Sequence, residues 1–126
     1  MEINSRIRLV HRRSGDASRI ENLGSYVLES LLDPEEEAGA TVYRVSLGPH
    51  QCSRESYHRI AEEFYYVLAG QGTGVIDGRE LALSAGDFLR LPPGTRHAFL
   101  SGDGPLEFLN IHVPGCRPGR DTYFDG

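Results

Sequence analysis

The sequence predicts an all-β fold, a barrel or sandwich of short strands, and three observations carry that expectation. The 126 residues hold fifteen Gly and seven Pro, which cut the chain into apolar runs of roughly four to eight residues, the length of strands. Within the runs apolar residues alternate with period two rather than recurring at helical spacing. Asp77-Gly78, set between Gly74-Val75-Ile76 and Glu80-Leu81, is a two-residue hairpin turn, because both central positions of a type I′ turn need positive φ.

In chain order the strands are expected near Ser25–Leu32, Thr41–Leu47, Arg54–His58, Glu63–Ala69, Gly72–Ile76, Glu80–Leu83, Phe88–Leu91, His97–Leu100 and Leu106–Val113. Pro92-Pro93-Gly94 and Ser101-Gly102-Asp103-Gly104-Pro105 are loops of turn-forming residues. The acidic run Asp33-Pro34-Glu35-Glu36-Glu37 reads as a solvated loop. Residues 114–126, rich in Gly, Pro and Arg, read as an irregular tail, and residues 1–24 as an N-terminal arm around a barrel spanning 25–113. A chain of this length with 39% apolar residues is expected to build one domain with one core.

Charge narrows the partners. The formal net charge is −5, which offers no field for nucleic acid or an anionic membrane. All thirteen basic residues are Arg and Lys is absent, so chemistry through a lysine Schiff base is excluded. Arg6, Arg8, Arg12 and Arg13 make a basic start, but no apolar stretch follows that would act as a signal or span a bilayer. A cytoplasmic protein acting on a small molecule is expected, with Cys52 and Cys116 as ordinary thiols.

Two stretches carry chemistry. Alternation along Glu63–Leu68 puts Glu63, Tyr65 and Val67 on one face and Phe64, Tyr66 and Leu68 on the other. A carboxylate facing a barrel interior requires a cation, because its desolvation is otherwise prohibitive. In the second stretch a strand runs into Pro92-Pro93-Gly94 and the chain returns with His97. Two imidazoles and a carboxylate from separate strands, His58, Glu63 and His97, form a 2-His-1-carboxylate set that leaves metal positions open.

These stretches resemble the paired motifs of the cupin family. The first motif runs G-x5-H-x-H-x(3,4)-E-x6-G, and His58, Glu63 and Gly70 match its latter part. The second, G-x5-P-x-G-x2-H-x3-N, is matched by Gly86, Pro92, Gly94 and His97, with Ser101 at the final Asn. The resemblance covers roughly residues 48–101. It implies a cupin double-stranded β-helix, or jelly-roll barrel, holding one divalent metal ion: Fe2+ first, with Zn2+, Mn2+ or Ni2+ as alternatives. It departs at Ser56, where the family has its first metal-binding His, and at His50, where the motif opens with Gly. Ser56 is expected to orient water or substrate, and His50 is the lesser alternative for the missing ligand.

Tyr43, Tyr65, Phe99 and His112 are expected to join Ser56 around a substrate. In the last strand Leu106, Phe108, Asn110 and His112 share a face, but both faces are mostly apolar. His112 is therefore either a surface residue, the favoured expectation, or a candidate acid or base. Arg44 and Arg90 are expected on the surface, and the stripe Phe64, Tyr66, Leu68 suggests a homodimer. Three functions follow: an Fe(II) oxygenase on a small, aromatic substrate; a redox-neutral cyclase, isomerase or lyase using a divalent ion as Lewis acid; or a non-catalytic ligand-binding module.

Overall fold

A computed structural model describes residues 7–13, 15 and 19–124; Arg6 of the basic start and part of the expected arm lie outside them. Eleven strands are formed among the described residues: β1 (Ile20–Leu23), β2 (Tyr26–Ser30), β3 (Thr41–Leu47), β4 (Ser56–Tyr57), β5 (Glu62–Ala69), β6 (Gln71–Ile76), β7 (Arg79–Ser84), β8 (Phe88–Leu91), β9 (His97–Ser101), β10 (Leu106–Val113) and β11 (Tyr123–Phe124). They make two antiparallel sheets, ordered β1-β2-β3-β10-β5-β8 and β11-β4-β9-β6-β7. A 3-10 turn at Pro34–Glu36 lies between β2 and β3.

Alternation decides what faces inward. Thr41, Tyr43, Val45 and Leu47 of β3, Glu63, Tyr65 and Val67 of β5, and Leu106, Phe108, Asn110 and His112 of β10 are all buried. Leu83 and Phe99 bring the second sheet to the same core. At its centre Phe99 lies 4.7 Å from Phe108 and 4.8 Å from Tyr65, ring centre to ring centre. Each such aromatic or aliphatic side chain contributes about 1.5–3 kcal/mol by leaving water.

The Asp77-Gly78 turn is as the sequence demands, with φ of 47° and 78° closing β6 on β7. Gly70 also has a positive φ, 90°, and a Cβ there would run into the Pro105 carbonyl oxygen. That explains why a glycine ends the first motif.

The structure departs from expectation at both ends. The strand expected over Ser25–Leu32 is present as β2, but the expected arm ahead of it also forms a strand, β1, folded into a hairpin with Leu23 opposite Tyr26, because Gly24 takes a left-handed conformation at φ 59°. At the other end, β11 pairs with β4 inside the segment expected to be irregular. Tyr123 stacks on Tyr57 with ring centres 5.4 Å apart, and the Arg59 guanidinium lies 4.2 Å from the Tyr123 ring centre.

The acidic run is not a freely solvated loop. Asp33 and Glu36 take Arg12 at 3.2 and 2.6 Å, and Asp33 also takes Arg19 at 2.9 Å. Glu37 reaches the C-terminal segment, pairing with Arg117 at 2.9 Å and Arg120 at 2.7 Å. Partial burial pushes the Glu37 carboxyl up, but the two guanidiniums outweigh it and hold its pKa below the usual 4.5. A depressed folded-state pKa adds stability that is complete above the ordinary value and drains away as pH falls through the lowered one. Melting temperature should therefore fall as pH drops below about 4.5, and Glu37→Gln should flatten that fall. An unchanged slope in the variant would show that the clasp contributes nothing.

Candidate metal centre

Register builds the site. Across the first sheet His112 lies opposite Thr41 on one side and Glu63 on the other, while Asn110 lies between Tyr43 and Tyr65. In the second sheet Ser56 pairs with His97. Period-two alternation then points Thr41, His112 and Glu63 at Ser56 and His97 across the interior. His58 follows β4 and enters the same space, 7% exposed.

Glu63 is 2% exposed, and its two carboxylate oxygens have different surroundings. Oε2 is crowded with polar neighbours: Tyr65 OH at 3.0 Å, Asn110 Nδ2 at 3.2 Å, His58 Nε2 at 3.2 Å and His112 Nε2 at 2.7 Å. Oε1 is buried and accepts no hydrogen bond, although His97 Nε2 lies 3.1 Å away. The two facts agree once the histidine protons are placed. His97 Nδ1 lies 3.0 Å from the Thr95 carbonyl oxygen, and His58 Nδ1 lies 2.8 Å from that of Asp121. Carbonyls only accept, so both Nδ1 atoms carry hydrogen, and each neutral ring keeps its lone pair on Nε2.

Thus, with both rings neutral, two imidazole lone pairs and the Glu63 carboxylate face one small volume. The ligating atoms of His58, Glu63 and His97 all lie within 4.8 Å of one another. Their closest approaches are 3.1 Å (His97 to Glu63) and 3.2 Å (His58 to Glu63). Metal bonds of ~2.0–2.2 Å set neighbouring donors about 3 Å apart. Carbonyls on the outer ring nitrogens are the support that metal-binding imidazoles ordinarily have. The residues therefore fit a divalent ion, and the cluster can hold one.

His58 Nε2 lies 3.2 Å from Glu63 Oε2, so the ring can also carry a second proton toward the carboxylate, one that a metal ion would displace. Burial pushes His58 down, but Cys116 and Glu63 outweigh it and raise its pKa to about 11. Burial likewise pushes Glu63 up, yet His97, His112 and His58 hold it well below the carboxylate range. Tyr65 is driven the other way, above its usual value, by burial and the Glu63 charge.

Beside this centre a small cavity of about 50 Å³ is walled by Leu23, Tyr26, Leu28, Tyr43, Val45 and Tyr65, with Ser56 also on its lining. Phe99, expected to meet substrate, lies in the core beneath and is fully buried. His112 is not a surface residue: it is 6% exposed, bridging Glu63 and the Thr41 hydroxyl at 3.1 Å. Nor is Cys116 an isolated thiol, since its Sγ is buried 3.3 Å from His58 Nδ1. His50 lies away from the centre, exposed beside Asp103. Arg44 and Arg90 face outward to Glu107 and Glu62.

Cys116, Arg117 and Thr122 also line the cavity, and alternation could not find them because they belong to a loop. The cues were compositional only, a Cys and two Arg in a tail with no other assigned partner.

A two-sheet barrel with a buried 2-His-1-carboxylate cluster defines the class of protein. The cupin domain family profile matches residues 43–112, more than half the chain, and the chain belongs to that family; its fold is the jelly-roll barrel. Quercetin 2,3-dioxygenase of Bacillus subtilis is 36% identical over 61 residues, 48% of this chain and 18% of that protein. An uncharacterized protein of Methanocaldococcus jannaschii is 34% identical over 58 residues, 45% of this chain and 46% of its own. The chain thus spans less than half the length of these curated relatives. Among solved structures, Pac13 of Streptomyces, a nucleoside dehydratase, is 25% identical with a TM-score of 0.69, over 91% of this chain and 92% of that one. A predicted oxalate decarboxylase of Thermotoga maritima is 27% identical with a TM-score of 0.66, over 71% and 80%. Relatives of this family thus include enzymes of several reaction types. No helix among the described residues is long and apolar enough to cross a membrane.

Proposed function

We propose that this chain is a metal-dependent enzyme with a three-ligand centre, His58, Glu63 and His97, acting as a mononuclear non-haem Fe(II) oxygenase on a small aromatic substrate in the cytoplasm. The observation that carries it is the unpartnered, buried Glu63 Oε1, 3.1 Å from His97 Nε2, in a cluster where the Nδ1–H groups of His58 and His97 are committed to backbone carbonyls. Bound Fe(II) would supply oxygen activation, for which three protein ligands leave positions open.

The chain's own residues do the rest. Asn110, Tyr65 and His112 hold Oε2 so that Oε1 turns to the ion. His112, with Nε2 on Glu63 and Nδ1 on Thr41, positions the carboxylate rather than serving as a free acid or base. Ser56 stands 3.5 Å from His97 Nε2 and would orient water or substrate at the open side. Tyr26, Tyr43, Leu28 and Val45 would hold an aromatic body and exclude water. The likeness to quercetin 2,3-dioxygenase supports the oxygenase reading.

A redox-neutral lyase or isomerase is the second reading, favoured by the likeness to Pac13 over nearly the whole chain. Anaerobic loading with Fe(II), elemental analysis, then oxygen uptake with panels of aromatic enols and nucleosides separates the two. Oxygen uptake with oxygen gained in the product supports the first; loss of water without oxygen uptake supports the second and overturns it. Stoichiometric metal without turnover would favour a binding module.

We also propose a homodimer through the outer face of β5 and β8. Tyr66, Leu68 and Phe88 are 45%, 42% and 60% exposed there, more apolar surface in one row than a lone barrel usually leaves. Light scattering is expected to give twice the chain mass, and Phe88→Glu to halve it; a monomeric wild type would refute this.

A further inference from the structure

The C-terminal segment does more than cover the cavity, and one residue in it touches the centre twice. Asp121 has φ 55°, a left-handed conformation uncommon outside glycine and retained where the surroundings impose it. Its carboxylate accepts the backbone N–H of Arg59 at 2.9 Å, of Ile60 at 3.1 Å and of Ala61 at 2.9 Å. Its carbonyl oxygen accepts the Nδ1–H of His58 at 2.8 Å. The side chain thus fixes the loop that separates two ligands, His58 and Glu63, while the backbone fixes the ring of the first.

We infer that Asp121 is a positioning residue of the metal centre, setting the His58 ring so that its Nε2 points into the cluster beside Glu63. Nδ1 has a second neighbour, the Cys116 sulfur at 3.3 Å. Sulfur is a weak acceptor, and the nearer carbonyl decides the tautomer. Without the Asp121 carboxylate, three N–H groups lose their acceptor and the left-handed turn loses the bonds that hold it. The carbonyl then swings away, and His58 can turn its ring or move its proton to Nε2, where it blocks the metal. Glu37 clasps the same segment through Arg117 and Arg120 but touches no ligand, so it measures what anchoring alone contributes.

This inference rests on the ligand reading above, and the test separates the two. Co2+ is titrated into wild type, Asp121→Asn, Asp121→Ala and Glu37→Ala, and the hydrogen-bonded His58 Nδ1–H resonance is followed in the 15N-labelled metal-free proteins. Disturbing such outer support ordinarily weakens metal binding ~10–100-fold, and Asp121→Ala is expected to fall in that range and lose the resonance. Asn accepts N–H bonds and tolerates a left-handed backbone, so Asp121→Asn is expected to stay within about threefold of wild type, well short of that loss. Glu37→Ala should lower the melting temperature while keeping both Co2+ affinity and the resonance. Should Asp121→Ala fail to fold, Asp121→Gly takes its place, since glycine accepts this φ without steric cost. Wild-type affinity and an intact resonance in the Ala or Gly variant would overturn the inference. If wild type binds no Co2+, the ligand reading falls, and the resonance alone decides whether Asp121 sets the ring.

Discussion

Glu63→Gln is expected to lower divalent metal affinity at least ~100-fold, more than the loss seen when only an outer support is disturbed. The side chain keeps its shape, but Oε1 or its amide replacement no longer carries charge toward His58 and His97. In wild type, metal at a hundred times its dissociation constant should raise the unfolding free energy by about 2.7 kcal/mol, and that gain should vanish in the Gln variant. Glu63→Ala should do more. It strips the common acceptor from Tyr65 OH, Asn110 Nδ2 and His112 Nε2, all buried, and removing one partner of such a network costs about 3–5 kcal/mol. Urea unfolding of the metal-free proteins, followed by repetition with Co2+, reads both effects. Undiminished metal stabilisation in Glu63→Gln would remove Glu63 from the ligand set.

That network was only half legible in the sequence. Glu63 could be assigned inward because a strand's alternation and a motif spacing agreed on it, and the three proposed ligands do converge in space. His112 lies on the same cross-strand row as Glu63, yet the alternation of β10 left its direction open. Leu106, Phe108 and Asn110 on one face compete with Leu109, Ile111 and Val113 on the other, and hydrophobicity cannot choose between two apolar faces. Only pairing with β3 and β5 settles it, and pairing is a long-range property.

The ends of the chain were harder for a different reason. Their structure depends on partners far away in sequence. Glu37 meets Arg117 and Arg120 about eighty positions on, and Tyr123 finds Tyr57. A run of acids and a run of Gly, Pro and Arg each look solvated when taken alone. Complementary charge was visible in both, but nothing local says that the two meet, or that their meeting carries Asp121 to His58.

Ser56 offers the reverse experiment, adding a ligand instead of removing one. It is 6% exposed, pairs with His97 across β4 and β9, and lines the cavity. The cupin motif carries its first metal-binding His at this position. A histidine there would enter the cavity from the same sheet as His97, with room that the small serine leaves open. Ser56→His is therefore expected to tighten metal binding tenfold or more, about 1.4 kcal/mol or above, read by competition with a chelator of known affinity. The same substitution should cut oxygen-dependent turnover, because the added imidazole takes a position that substrate or oxygen needs. The two readouts must move in opposite directions. Tighter binding with undiminished turnover would mean that the open side of the centre is not the one Ser56 faces, and unchanged binding would mean that position 56 does not face the ion.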